Sequence, residues 1–542
     1  MAVTEGNPRR QPARESAART YPRALPIVPV RARGLTVEGA DGRRYLDCLS
    51  GAGTLALGHN HPVVLEVIRK VLDSGAPLNV FDLATPVEDA FVTELMRTLP
   101  PGLAAHARVQ FCGPSATEAV ETAVALVRAA TGRPDIVAFT GTEHGMRPAP
   151  SVLPGESGGS PNTLVPAPAD PSCPFGTADP DGTRVTADWT GTALSASPTV
   201  TRPAGILVEP VHGDCGAIPV PDAWLRATRR NTAAHSIPLI IDETQSGVGR
   251  TGAFWAVEHS GVQPDVMILS EAIGGSLPLA AVIHHADLAP RRPLAPSGPF
   301  RGNQLALAAG TATLAHVREQ GLAARAAAVG SRMMSELRSL TGEFSCIRGV
   351  RGRGLMIGVE LADDTEVAAA RAVRKQAGAP RPGLAAAVQR ECLRRGLIVG
   401  LAQRQPTVVR LLPPLTISDE QASAVLDRLA DALTAACRAH PEERGRPSGR
   451  SERRTYAPHP DRTEHGDDGG RTDDAVRDGR TGTGRTDDAV RDGRTGTGRT
   501  GRTDDAVRDG RTGTGRTGRT GHAGHPDNAR QADRAGHTER PR

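Results

Sequence analysis

Residues 237–276 read IPLIIDETQSGVGRTGAFWAVEHSGVQPDVMILSEAIGGS. Two short apolar runs stand out, 237–241 and 266–269; the first stops at Asp242 and Glu243, the second at Ser270 and Glu271. Aliphatic runs of this length without polar alternation are the pattern of strands buried on both faces, as in a parallel sheet covered by helices. The same grammar recurs upstream: 109–112 leads to Gly113, Pro114 and Ser115, 135–140 to Glu143 and His144, and 205–208 to Glu209. Between these runs apolar residues fall at helical spacing, as at 120, 123, 124 and 127. The expected class is therefore α/β, with the marked polar residues gathered at the carboxyl ends of strands, where open parallel sheets place ligands.

Working outward, 37–46 reads as a hairpin turning at Asp41-Gly42, a dipeptide that supplies the positive φ of a tight turn. His59 and His61 lack a third partner at metal-ligand spacing and are read as structural; no metal site is expected. Ser115 and Glu118 have capping-box spacing, and the helix they begin exposes amides that can bind a phosphate. The stretch 148–198, rich in Pro, Gly, Ser and Thr, reads as a surface insertion. Helices are expected near 62–74, 115–130, 305–317, 321–340, 383–395 and 418–437, and strands at 352–360 and 408–412.

The chain has 542 residues, of which roughly the first 440 have a composition able to bury a core. Beyond that GRTDDAVRDGRTGT recurs, with Asp473, Asp487 and Asp504 at matching places, and large apolar residues almost vanish. Such a segment cannot offset chain entropy by burial and has no apolar face to stack as a solenoid, so 439–542 is expected to be disordered, as is 1–20. Arg and Asp alternate in it, which argues against a specific nucleic-acid arm despite a net charge of +5. No apolar stretch approaches the roughly 18 residues that cross a bilayer, and the first twenty residues lack a signal-peptide core, so a cytoplasmic protein is expected. Cys48, Cys112, Cys173, Cys215, Cys346, Cys392 and Cys437 are scattered without a paired motif and read as buried or idle thiols.

In DETQSGVGRTG, beginning at Asp242, and in SEAIGGSLP, beginning at Ser270, the chain resembles the fold type I, class III aminotransferases that use pyridoxal phosphate (PLP), in particular those of the diaminobutyrate:2-oxoglutarate kind. LGHNHP, EPVHGD from Glu209 to Asp214, and VVRLLPPLTIS around Arg410 extend the resemblance over about 21–437. It implies a large domain with a mostly parallel sheet at 66–308, a small α+β domain at 309–438 joined by the segment 21–65, and a homodimer. It also implies roles: Asp242 against the cofactor's ring nitrogen, Gln245 near its phenolic oxygen, and Ser115, Ala116 and Thr117 around its phosphate. Arg410 would bind a substrate carboxylate, gated by Asp214.

Four positions depart from the family pattern. The Schiff-base lysine of S-K-x-x-G-G is Glu271, the aromatic before His-Gly is Glu143, the phosphate-binding threonine of G-T-F is Pro299, and the glycine of S-G-T is Ala116. A carboxylate forms no imine, and proline has neither hydroxyl nor amide hydrogen to offer. The expectation is therefore a site without cofactor, in which Glu271, Glu143 and His144 perform acid/base chemistry on an amino-acid-like carboxylate held by Arg410: a cyclisation, condensation or elimination in specialised metabolism. Two alternatives stand beside it, a non-catalytic partner of a true aminotransferase and a protein that binds PLP or pyridoxamine phosphate (PMP) with lysine-independent chemistry.

Overall fold

The computed structural model describes residues 25–80, 83–139, 162–165, 202–289, 299–362 and 383–439. The expected disordered ends and most of the 148–198 insertion lie outside these residues. All described residues fall within the compact unit Met1–Arg454.

Seven strands form the central sheet, in the order Ala107–Phe111, Ala281–His285, Val266–Leu269, Leu239–Asp242, Gly205–Val208, Ile136–Phe139 and Asn162–Val165. Only Ala281–His285 runs against its neighbours; the other pairings are parallel. The aliphatic runs behave as fully covered strands do, because successive side chains point to opposite faces. Ile206, Val208, Leu239, Ile241, Met267 and Leu269 enter the main core with Trp224 and Trp255, whereas Leu207, Ile240, Val266 and Ile268 pack with Val120, Ala123 and Val127. The second set belongs to the helix Ala116–Thr131, which covers that face. Its start is a complete capping box, as the Ser115–Glu118 spacing implied, and it stops at Gly132 in the left-handed conformation.

The expected hairpin is present as Thr36–Gly39 paired with Arg44–Asp47, and Leu46 and Asp47 then pair in parallel with Leu397 and Ile398. A second antiparallel sheet follows the order Ile347–Arg353, Met356–Leu361, Val408–Leu411, Gly400–Leu401. The reading of 352–360 as one strand start resolves into a hairpin, with Gly354 at φ 53° between its arms. The closing helix Asp419–Ala439 packs mainly on Leu384–Arg394 and also on Leu322–Ser339. Among the elements that sequence reading left unassigned are the helices Pro86–Thr98 and Asp222–Ala234 and the reversed strand Ala281–His285.

Arg250 joins these parts. It is 2% exposed and donates from Nη1 to the Leu355 carbonyl (3.5 Å) and the Pro413 carbonyl, and from Nη2 to the Gly53 carbonyl (3.3 Å). One side chain from the loop after Asp242 thus satisfies backbone acceptors from three distant segments. Arg250→Met should leave those carbonyls short of a donor and lower unfolding free energy by about 3 kcal/mol. Urea denaturation followed by circular dichroism measures this, and an unchanged midpoint would mean that water replaces the guanidinium without cost.

Candidate active site

The parallel strands bring their carboxyl ends to one edge of the sheet, and the next residues of each form the site. Leu239–Asp242 delivers Asp242 at the strand's last position, 4% exposed, with its Oδ1 accepting the Thr244 amide at 3.0 Å. Val266–Leu269 delivers Glu271 two residues beyond its end, at the start of the single 3₁₀ turn Glu271–Gly274. Glu271 adopts φ 56°, a left-handed conformation that costs an L-residue roughly 1–2 kcal/mol and is held by the surrounding structure.

Arg410 comes from the other sheet, inside Val408–Leu411, and is 5% exposed. Its Nη1 donates to Asp214 Oδ1 and its Nη2 to Gln245 Oε1, both at 3.0 Å. The inferred pairing of Arg410 with Asp214 is thus formed, and Gln245 completes it. Gly213 permits this arrangement: a Cβ there would lie 2.0 Å from Gln245 Oε1. Within this cluster two atoms are buried without a hydrogen-bond partner, Arg410 Nε and Glu271 Oε2. An unpaired buried polar atom costs about 1–3 kcal/mol, so both mark places where a ligand's polar groups would be favoured.

Glu271 has its pKa raised to about 8, chiefly by burial and then by the negative charges of Asp242 and Asp214; Arg410 and Arg250 pull the other way without prevailing. Its carboxyl is therefore mostly neutral near pH 7, able to donate a hydrogen bond as well as accept one. Glu243, 2% exposed, is also raised, to about 7, by burial. Its bonds identify a different task, since Ser246 Oγ donates to it at 2.6 Å and the Val257 amide at 2.8 Å, tying the loop 243–257 together.

Ser115, Ala116 and Thr117 stand at the start of Ala116–Thr131, where the first amides have no intrahelical acceptor. Glu118 covers part of that edge, its Oε2 accepting the Ser115 hydroxyl at 2.8 Å and the Ser115 amide at 3.3 Å. Glu143 and His144 lie outside the described residues. Pro299 is exposed, beside Phe300 at 65% exposure. Among the described residues no group of three or more His, Cys, Asp or Glu could hold a metal. Sequence reading missed Arg250 and Glu243 as individual residues; the available signal was a charged pair inside an otherwise buried motif. It also passed over the lysine count. The whole chain holds two lysines, Lys70 and Lys375. Lys70 is exposed on the helix Pro62–Asp73 and paired with Glu66 at 2.7 Å, and Lys375 lies outside the described residues.

The chain matches the family model Aminotransferase class-III over residues 17–433. It is 47% identical over 438 residues to a diaminobutyrate–2-oxoglutarate aminotransferase of Rhizobium meliloti, covering 79% of this chain and 91% of the relative. A diaminobutyrate–2-oxoglutarate aminotransferase of Haemophilus influenzae is 38% identical over 436 residues, 78% of this chain and 94% of the relative. Among solved structures, an amine transaminase from an uncultivated Pseudomonas species in the PLP-bound form gives a TM-score of 0.66 at 25% identity, covering 76% of this chain and 95% of that one. An (S)-enantioselective omega-transaminase from Thermomicrobium roseum gives 0.64 at 26% identity, covering 76% and 92%.

These likenesses overturn the expectation of a site without cofactor: with such relatives and a PLP-binding fold, PLP is the expected cofactor. The physical reason is that a cofactor with several handles is held by several groups, so changes at 116, 143, 271 and 299 do not remove the remainder. The protonation state of Glu271 has its own signature. Folded protein binds the Glu271 proton up to about pH 8 and unfolded chain only to about its ordinary 4.5, so this group's stabilising contribution falls as pH rises through that window. Thermal melts from about pH 5 to about pH 9 should show wild type losing stability relative to Glu271→Gln, with Glu243 cancelling in the difference. Parallel curves would place Glu271 at an ordinary pKa.

Proposed function

The chain belongs to the class-III aminotransferase family, and from that membership we propose that it is a diaminobutyrate-type aminotransferase homologue that holds PLP, or its amine form PMP, without a covalent bond. The observation carrying this reading is the cluster of Asp242, Gln245, Asp214 and Arg410, assembled around a position where the family pattern has lysine and this chain has Glu271. A carboxyl group does not condense with an aldehyde, and the exposed, paired Lys70 is no substitute.

The residues present fit the cofactor's remaining handles. Asp242 would hold the ring nitrogen in its protonated form, Gln245 would lie near the phenolic oxygen, and the amides and hydroxyls of Ser115, Ala116 and Thr117 would take the phosphate. When bound, the cofactor supplies an electron sink for exchange of an amino group between an amino acid and a 2-oxo acid. Arg410 supplies substrate recognition: a planar guanidinium with a buried free Nε can bind a carboxylate bidentately, and a dicarboxylate arriving there displaces Asp214. Glu271 is the group placed to give or take a proton near neutral pH. Glu143 and His144 are proposed as neighbours in the same chamber. The relatives' names support a diamino acid and 2-oxoglutarate as substrates, and family membership supports a homodimer. No helix among the described residues is long and apolar enough to cross a membrane, which agrees with a cytoplasmic location.

Purified chain given PMP and 2-oxoglutarate should form PLP and glutamate slowly. Arg410→Ala should raise KM for 2-oxoglutarate by roughly 10–100-fold, the loss of a charged hydrogen-bonded contact. Asp242→Ala should weaken cofactor binding at least about tenfold. Borohydride treatment of the PLP-loaded chain should leave the cofactor releasable on denaturation. Failure of either cofactor form to bind, or covalent capture at Lys375, would overturn the reading.

A further inference from the structure

Glu271 differs from lysine in three ways that bear on which form of the cofactor the site accepts. Its side chain ends one bond earlier, so a carboxyl oxygen stands where the lysine's last carbon would be. A free amine near the missing nitrogen's place then faces a carboxyl oxygen where lysine has a methylene, and a hydrogen bond of about 2.8 Å forms once side-chain torsion moves the oxygen back. Its polarity is inverted, because an ionised carboxyl accepts and does not donate. And its Oε2 is buried without a partner.

The charges facing this oxygen come from every neighbouring segment. Asp242 ends one strand, Asp214 follows the strand Val211–His212, Arg410 sits within Val408–Leu411, and Arg250 lies in the loop after Asp242. Arg410 is already engaged by Asp214 and Gln245, and Arg250 by three carbonyls. A cation placed beside Glu271 would meet its carboxyl together with the charges of Asp242 and Asp214, while Arg410 and Arg250, held by other acceptors, oppose it only at a distance.

Resting on the cofactor reading above, we propose that Glu271 makes this chain a receptor for the aminated cofactor: its carboxyl accepts a hydrogen bond from the 4′-ammonium of PMP, so that PMP is bound in preference to PLP. The aldehyde of PLP carries no donor. It can accept a single neutral hydrogen bond from the protonated carboxyl, roughly half the strength of a charge-assisted one. Binding the ammonium requires Glu271 to ionise, so PMP binding releases a proton to solvent that PLP binding does not. The same pairing resists loss of the amine form, the state from which amino transfer to a 2-oxo acid begins.

The test is isothermal titration calorimetry of the full chain with PMP and with PLP, near pH 7 and in two buffers of different ionisation enthalpy. Wild type should bind PMP at least about tenfold more tightly than PLP, about 1.4 kcal/mol, with a buffer-dependent heat for PMP alone. Glu271→Leu should bring the two affinities together and abolish the proton release, and Glu271→Gln, nearly isosteric, does the same where the leucine variant fails to fold. Equal binding of both forms by wild type, or tighter binding of PLP, overturns the preference while leaving the cofactor reading intact. Binding of neither form overturns both.

Discussion

A guanidinium buried among carbonyls is the interaction on which the rest of this structure depends. Among the described residues Arg250 has no acidic hydrogen-bond partner; its guanidinium is held by the carbonyls of Gly53, Leu355 and Pro413, with Glu271 near enough to act on its charge. Burying a charge this way costs several kcal/mol, and burial draws its pKa down to about 10, still well above neutrality. The cost is offset by satisfying acceptors from three segments at once. The Leu355 amide in turn donates to the Arg250 carbonyl at 2.9 Å, and Gly354 lies so close that a Cβ would sit 2.5 Å from the Thr251 carbonyl carbon. The two sheets are therefore locked at the loop that also carries Asp242 and Gln245.

That lock explains how residues far apart in the chain meet. Arg410 reaches Asp214 and Gln245 across sequence separations of 196 and 165 residues. Within this cluster the outcome of competing effects is set by magnitude. Glu271 lies near two arginines and would ionise readily in water, yet burial and two neighbouring acids outweigh them. Both arginines are engaged by other acceptors, so they contribute distant Coulomb terms and no direct pair. A carboxyl held neutral in this way is a different chemical object from the exposed carboxylates elsewhere on the surface.

Family membership and local chemistry carry different information here. Membership accounts for the sheet order, the capped helix Ala116–Thr131 and the Asp214–Arg410 pair, all of which are present. Local chemistry accounts for Glu271, an acid in a partly buried, left-handed position. The expectation of a site without cofactor weighed the residues at 143, 271 and 299 above what family membership implies.

The sequence by itself determined the elements whose cause is local. Four-residue aliphatic runs became the covered strands, Ser115 and Glu118 closed a capping box three residues apart, and Asp41-Gly42 turned a hairpin, because period, capping and φ preference act within a few residues. Motif matching further picked out Asp214 and Arg410 as a pair. Tertiary structure alone decided that Gln245 shares Arg410, that Arg250 bridges three segments, that Glu243 serves the loop, and that Glu271 keeps its proton near pH 7. These depend on desolvation and on charges brought together from remote parts of the chain, and no local pattern encodes the dielectric surroundings that folding creates.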